Sequence, residues 1–374
     1  DEKMTSWHMG ELGEFITLKR GYDLPQQKRK AGCVPIFSSS GISGTNDTAM
    51  VKAPGVITGR YGTIGRVFWA NEDFWPLNTT LYVEDFHGNY PLFVYYFLKT
   101  LGWEKFTSAS AVPGINRNTV HKEIVCLPDI ASQRRIALLL KTVDDKIEVN
   151  EKINDNLEQQ AQAYFQELFV DNSDPAWTLG TVSDLGAVVG GSTPSKAKPE
   201  YYTEDGIAWI TPKDLSINKA KFVSHGENDI TGLGLKNSSA SIMPEGTVLF
   251  SSRAPIGYIA IASGEVTTNQ GFKSVVPKPE IGTAYVYYFL KHNLPIIEGM
   301  ASGSTFKEVS GSTMKNVPAV IPDTETLACF NGFCAPIFAQ QRILEEQNQS
   351  LTALRDSLLP KLMSGEIDVS DIQL

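Results

Sequence analysis

Val94-Tyr95-Tyr96-Phe97-Leu98-Lys99 recurs unchanged 192 residues later as Val286-Tyr287-Tyr288-Phe289-Leu290-Lys291. Six identities that include paired tyrosines do not arise readily by chance, and the surroundings repeat with them. Trp7 precedes Leu12-Gly13 as Trp177 precedes Leu185-Gly186, and Arg60 precedes Ile64-Gly65 as Arg253 precedes Ile256-Gly257. Asn78-Thr79 lies upstream of the first copy and Asn269-Gln270 upstream of the second; Pro128-Asp129 and Pro322-Asp323 close the two units. A period of this size marks a duplicated domain, far longer than a solenoid repeat. The chain reads as two globular units, each followed by a helical segment. A protein built twice is expected to meet something twice.

The 374 residues suffice for two or three domains, each with its own core. A hydrophobic share of 42% and a charged share of 20% are those of an ordinary globular protein. No apolar run approaches the roughly 20 residues that span a bilayer, and no cationic-then-apolar leader opens the chain. Cys33, Cys126, Cys329 and Cys334 lack metal-ligand spacing and read as thiols of a reducing compartment. The expected location is the cytoplasm, with no membrane partner. The net charge of −9 is unevenly spread. Residues 1–130 hold 13 basic and 13 acidic side chains and residues 176–325 hold 12 and 14, so most of the excess lies in 131–175 and 326–374. The globular units are near neutral, which leaves room for a basic face toward nucleic acid.

Within the units, short apolar runs such as Val56-Ile57-Thr58, Val67-Phe68-Trp69, Thr80-Leu81-Tyr82-Val83, Thr247-Val248-Leu249-Phe250 and Tyr258-Ile259-Ala260-Ile261 read as strands. Residues 91–101 and 283–292 read as short helices. Each unit is therefore expected to be α+β. From Ser132 to Phe169 there is no Gly or Pro, and Ile136, Leu140, Val143, Ile147, Asn150, Asn154 and Leu157 alternate spacings of four and three. That is a heptad seam, with Ser132 as the expected cap and the two asparagines as register-setting polar positions. Leu344, Leu351, Leu354 and Leu358, with Gln347, repeat the pattern more weakly, ended by Pro360 and Gly365. The simplest packing is an antiparallel coiled coil of the two long helices; the alternative is that each helix covers its own unit.

Catalytic constellations are missing. There is no phosphate loop, no G-x-G-x-x-G, no G-x-S-x-G, no Cys-x-x-Cys and no His-x-x-x-His. No catalytic or metal site is assigned, and no cofactor. What remains is loop chemistry for nucleic-acid contacts: Lys28-Arg29-Lys30, Arg60-Tyr61 and Asn116-Arg117 in the first unit. The second offers Thr193 and Lys196, Lys213, Arg253, and Ser304-Thr305 with Lys307. Arg, Asn and Gln can bond two groups on a base edge, while Ser, Thr and Lys hold phosphates. Arg60 and Arg253 stand out because both halves keep an Arg before the same turn; the plainer reading is a structural clamp.

With duplication, heptads and loops together, the chain resembles the specificity subunit of type I restriction–modification systems. The resemblance rests on Gly190-Gly191-Ser192-Thr193-Pro194-Ser195, Gly206-Ile207-Ala208-Trp209-Ile210, Ser252-Arg253-Ala254-Pro255-Ile256-Gly257, Thr268-Asn269-Gln270-Gly271-Phe272 and Leu358-Leu359-Pro360-Lys361-Leu362-Met363-Ser364-Gly365-Glu366-Ile367. In the first unit it rests on Gly59-Arg60-Tyr61-Gly62-Thr63-Ile64-Gly65, Pro113-Gly114-Ile115-Asn116 and the helix start Gln133-Arg134-Arg135-Ile136. The first unit lacks the Gly-Gly-Ser-Thr-Pro stretch, so the two units are expected to read different sequences.

The resemblance implies a noncatalytic DNA reader with two target-recognition domains, 1–130 and 173–325. Spacer helices 131–172 and 326–374, the latter with a C-terminal tail, would hold them apart. Its partners would be double-stranded DNA, two methyltransferase (modification) subunits and a restriction/motor subunit. S-adenosylmethionine, ATP and Mg would bind those subunits rather than this chain. The competing reading is a two-domain coiled-coil scaffold that binds protein or glycan.

Overall fold

The repeated Val-Tyr-Tyr-Phe-Leu-Lys stretch is helical in both copies, Pro91–Lys99 and Thr283–His292, in the computed structural model, which describes residues 7–107, 114–303, 307–370 and 372. Apolar residues on nearly every side make each helix a core element rather than a surface one. Leu92, Phe93, Val94, Tyr96, Phe97 and Leu98 are buried in the first, and Tyr285 through Leu290 in the second. The chain divides into two compact units. One comprises residues 1–148 with 349–374, the other 149–348.

In the first unit, Thr17–Arg20, Thr80–Asp85, Gly55–Gly59 and Val67–Ala70 form an antiparallel sheet in that spatial order. A smaller sheet joins Gly41–Asn46, Val34–Ser38 and Trp75–Pro76. The second unit repeats the first order as Gly186–Gly190, Lys273–Pro277, Val248–Ser252 and Ile256–Ala262, and adds Phe222–Val223 at the edge. Each unit is closed by a pair of its outermost strands, Trp7–Glu11 with Ile124–Pro128 and Thr178–Thr181 with Pro318–Ile321. Sheet order and closing pair carry the duplication beyond the six repeated residues.

Two long helices, Ile130–Gln166 and Thr324–Ser364, follow the closing strands. The first begins earlier than expected. Asp129, not Ser132, caps it, accepting from the Ala131 and Ser132 amides at 3.0 and 3.1 Å. A carboxylate at a helix start meets both free amides and the dipole. The second helix runs through Pro360 to Ser364 and stops at Gly365, whose φ of +77° suits a left-handed cap.

Within each unit the helices run antiparallel. In the first, Arg355 donates to Asp144 at 2.9 Å. In the second, Asn150 donates to Asn348 at 2.8 Å and Asn154 to Glu345 at 3.3 Å. Rising numbers on one helix meet falling numbers on the other. Ile136, Leu140, Asn150 and Leu344 are buried, and Val143, Ile147, Asn154, Leu157, Leu351 and Leu358 half-buried. Leu354 departs from the expected seam, being 48% exposed. Arg355 turns inward instead to meet Asp144, so the inner row runs Leu351, Arg355, Leu358 and Leu362.

The repeated tyrosine pair has a use in this arrangement. Tyr96 donates to Asp144 at 2.6 Å and Tyr288 to Glu158 at 2.9 Å. Both acceptors lie on the first long helix. In each unit the repeated helix is therefore fastened to the long helix by one phenol–carboxylate bond, and burial pushes both phenols well above the usual tyrosine range.

Candidate nucleic-acid interface

A cleft of about 480 Å³ opens in the second unit, and its lining includes Thr193, Lys196, Lys213 and Arg253. These residues come from separate loops and only the fold brings them together. Trp209, Thr211, Asn228, Asn269 and Gln270 complete the part of the wall that matters here. Each loop is pinned by local chemistry. The Trp209 indole donates to the Ser192 carbonyl at 2.9 Å, holding the Gly-Gly-Ser-Thr loop over the aromatic floor. Gly191 is obligatory there, because a Cβ would collide with the Thr268 and Asn269 carbonyl oxygens. Thr211 donates its amide and hydroxyl to Asp214, each at 2.7 Å. This capping box starts the short helix Pro212–Ile217 and leaves Lys213 exposed, paired with Glu227 at 2.5 Å.

Arg253 and Lys273 share one carboxylate, Glu308, at 3.7 Å each. Lys196 is exposed and has no ion-pair partner among the described residues. Three cations of the lining (Lys196, Lys213, Arg253) face two carboxylates (Asp214, Glu227), so the cleft keeps a positive excess of one. Lys307 is exposed beside Glu308 and does not line the cleft; Ser304 and Thr305 lie outside the described residues.

In the first unit, Arg60, Tyr61, Asn116 and Arg117 form one patch. The Arg60 guanidinium sits 4.5 Å above the Tyr61 ring, and its Nε donates to the Ile115 carbonyl at 3.3 Å. Asn116 caps the helix Arg117–His121 through the Asn118 amide at 3.0 Å. The Lys28-Arg29-Lys30 loop is tied elsewhere: Arg29 donates to the Ser43 carbonyl at 2.9 Å and Lys30 pairs with Asp47 at 3.7 Å. Among the described residues no hydrogen bond or ion pair joins it to the Arg60 patch.

Backbone register corrects the expected equivalence of Arg60 and Arg253. The Arg60 amide donates to the Thr79 carbonyl at 2.8 Å, and the Ser252 amide to the Gly271 carbonyl at 2.7 Å. The Arg60 carbonyl accepts from Ile115 at 3.0 Å, and the Ser252 carbonyl from Val309 at 2.9 Å. Tyr61 bridges Gly114 as Arg253 bridges Glu308. Ser252 thus stands in the place of Arg60, and Arg253 in the place of Tyr61. Successive side chains on an extended chain alternate faces, so the two arginines point to opposite sides of equivalent backbone. The spacing carried the warning: four residues separate Arg60 from Ile64, but three separate Arg253 from Ile256.

Trp209, Asn228, Asn269 and Gln270 are among the cleft residues that loop chemistry alone did not single out. Three of them sat in plain view inside the Gly206–Ile210 and Thr268–Phe272 stretches. No described helix is long and apolar enough to cross a membrane, and no group of three or more His, Cys, Asp or Glu among the described residues could hold a metal ion.

Residues 4–159 and 176–353 match the family described as the type I restriction modification DNA specificity domain. The chain is 42% identical over 163 residues to the type I restriction enzyme MjaIX specificity subunit of Methanocaldococcus jannaschii, covering 43% of this chain and 38% of that protein. It is 25% identical to the HindI specificity subunit of Haemophilus influenzae, covering 68% of this chain and 71% of that one. The crystal structure of a type I S subunit from M. genitalium superposes with a TM-score of 0.66 at 18% identity, across 96% of this chain and 97% of that chain. At that identity the likeness is one of fold.

Proposed function

Because the chain belongs to the type I restriction–modification DNA specificity family, whose members recognise DNA rather than transform it, we propose that each of its units binds one half of a split, asymmetric DNA site. The recognition domains are residues 1–130 and 173–325, with 131–172 and 326–374 as spacer. The bound pair directs two methyltransferase subunits to the site, and a motor-nuclease subunit joins for cleavage, all in the cytoplasm. S-adenosylmethionine, ATP and Mg act on those subunits.

One observation carries the reading: the cleft that gathers Thr193, Lys196, Lys213 and Arg253 with amides above an aromatic floor. Cations and hydroxyls suit phosphates; the guanidinium and amides suit base edges. The positive excess of the cleft favours an anionic polymer over the glycan or protein ligand of a scaffold. The test is to co-express the chain with its methyltransferase subunit and map methylated sites genome-wide. A bipartite motif is expected, and methylation without any such motif would refute the reading.

Two substitutions separate the roles of the cations. Arg253→Ala is expected to cost about 1–3 kcal/mol and relax one base position of one half-site. Lys196→Ala is expected to weaken all sequences evenly and lower the salt slope of binding by roughly 1. Salt titrations of DNA binding, with methylation maps, measure both. An Arg253→Ala variant with an unchanged motif and a lower Tm would make Arg253 a clamp on Glu308.

A further inference from the structure

The two units carry one polar side-chain pair at equivalent backbone positions, with different chemistry. Register establishes the equivalence. Arg20 pairs with Leu81 in the first unit as Gly190 pairs with Lys273 in the second. The Gly21 amide then donates to Thr80 at 3.1 Å, and the Gly191 amide to Phe272 at 3.4 Å. Tyr22 donates to Pro76 at 2.8 Å, and Ser192 to Thr268 at 2.9 Å. The next residues are Asp23 and Thr193. On the partner strand, Asn78 precedes Thr80 by two positions as Gln270 precedes Phe272. The side chains meet in both cases: Asn78 donates its amide to Asp23, and Thr193 donates its hydroxyl to Gln270.

Thr193 and Gln270 line the cleft of the second unit. Asp23 and Asn78 hold that place in the first unit, beside the patch built on Arg60 and Tyr61, whose amides both bond the carbonyl of Thr79. The Asp23 side chain is 71% exposed, with Arg20 3.9 Å from its Oδ1 and no described partner for Oδ2. An exposed carboxylate is repelled by phosphates. On a DNA-facing surface, the groups it satisfies are the donors that bases offer in the major groove, the amino groups of cytosine N4 and adenine N6. The neutral Thr193–Gln270 pair carries no such demand and keeps its amide donors for an acceptor edge.

Resting on the DNA-reading function above, we infer that Asp23 is a specificity-determining residue of the first unit. It accepts a hydrogen bond from the exocyclic amino group of a cytosine or adenine, and Asn78 is the positioning residue that holds it. The equivalent place in the second unit reads an acceptor edge through Gln270, held by Thr193. One structural locus thus serves two different bases.

The test uses the full chain co-expressed with its methyltransferase subunit and reads the methylated motif. Asp23→Asn keeps shape and the bond to Asn78 but removes the obligate acceptor. Discrimination at one base pair of one half-site is expected to fall roughly tenfold or more, with the other half-site and the gap unchanged. Asp23→Glu, which keeps the acceptor, is expected to retain the base preference. Exchanging the pair, with Asp23→Thr and Asn78→Gln together, is expected to move that one position toward a base with acceptors. An unchanged motif in Asp23→Asn, or affinity that rises evenly for all sequences because a charge near phosphate is gone, would overturn the inference. A wild-type complex that methylates no bipartite motif would instead overturn the function on which it rests.

Discussion

Glu158→Ala is expected to destabilise the second unit by about 3–5 kcal/mol, the cost of leaving a buried charge without its counter-ion. That charge is Lys221, whose side chain is 6% exposed. Its ammonium donates to Glu158, to Gln341 at 2.7 Å and to the Tyr288 hydroxyl at 3.2 Å, and lies 4.3 Å over the Phe338 ring and 4.7 Å over that of Tyr287. Lys291 reaches the other Glu158 oxygen at 2.7 Å. The Lys221 and Phe222 amides bond Glu345 at 2.9 and 3.0 Å. One edge strand of the recognition domain is thereby fastened to both long helices of its unit. Urea unfolding of the variant against wild type measures the loss, and a change under 1 kcal/mol would show the network to be dispensable.

The same network has a pH signature. Burial pushes the Glu158 carboxyl up, but Lys221 and Lys291 outweigh it and hold it at about 2, against 4.5 for a free glutamate. Burial pulls the Lys221 ammonium down, and the facing Glu158 carboxylate opposes that pull. A carboxyl depressed in the folded state stabilises above its unfolded pKa, and that contribution fades as pH falls from 4.5 toward 2. Glu345, raised by burial, acts in the opposite sense. The stability gap between wild type and Glu158→Gln isolates Glu158. It is expected to be largest above pH 5 and to shrink toward pH 2; a gap independent of pH would contradict the pairing.

Four residues added to each long helix, after Glu148 and after Asn348, are expected to lengthen the gap in the methylated motif by one or two base pairs. Each insertion adds about 6 Å of helix, against roughly 3.4 Å per base pair. Both helices must be extended, because 144 meets 355 in one unit and 150 meets 348 in the other. An insertion in one helix alone would break one of these pairings. Four residues also shift the heptad phase, so some loss of stability accompanies the change. Sequencing methylated DNA reads the outcome. An unchanged gap would exclude the helices as the ruler, and altered half-sequences would mean that they help to read bases.

Much of this protein is determined by its sequence alone, because the signals are local. The repeated Val-Tyr-Tyr-Phe-Leu-Lys stretch declares the duplication, and the four-and-three spacing from Ile136 to Leu157 declares the first long helix. Gly-, Ser- and Asn-rich stretches mark the loops that can meet DNA. What only the tertiary structure decided depends on register. Arg60 matches Ser252 rather than Arg253 because backbone hydrogen bonds, not residue identity, define equivalence, and a slip of one residue sends a side chain to the other face. Arg355 displaces Leu354 from the inner row because Asp144, 211 positions away, offers it a charge partner. The pairing of Asp23 with Asn78 was equally hidden. Its members lie 55 residues apart and meet only because the strands around Arg20 and Leu81 are neighbours in the folded sheet.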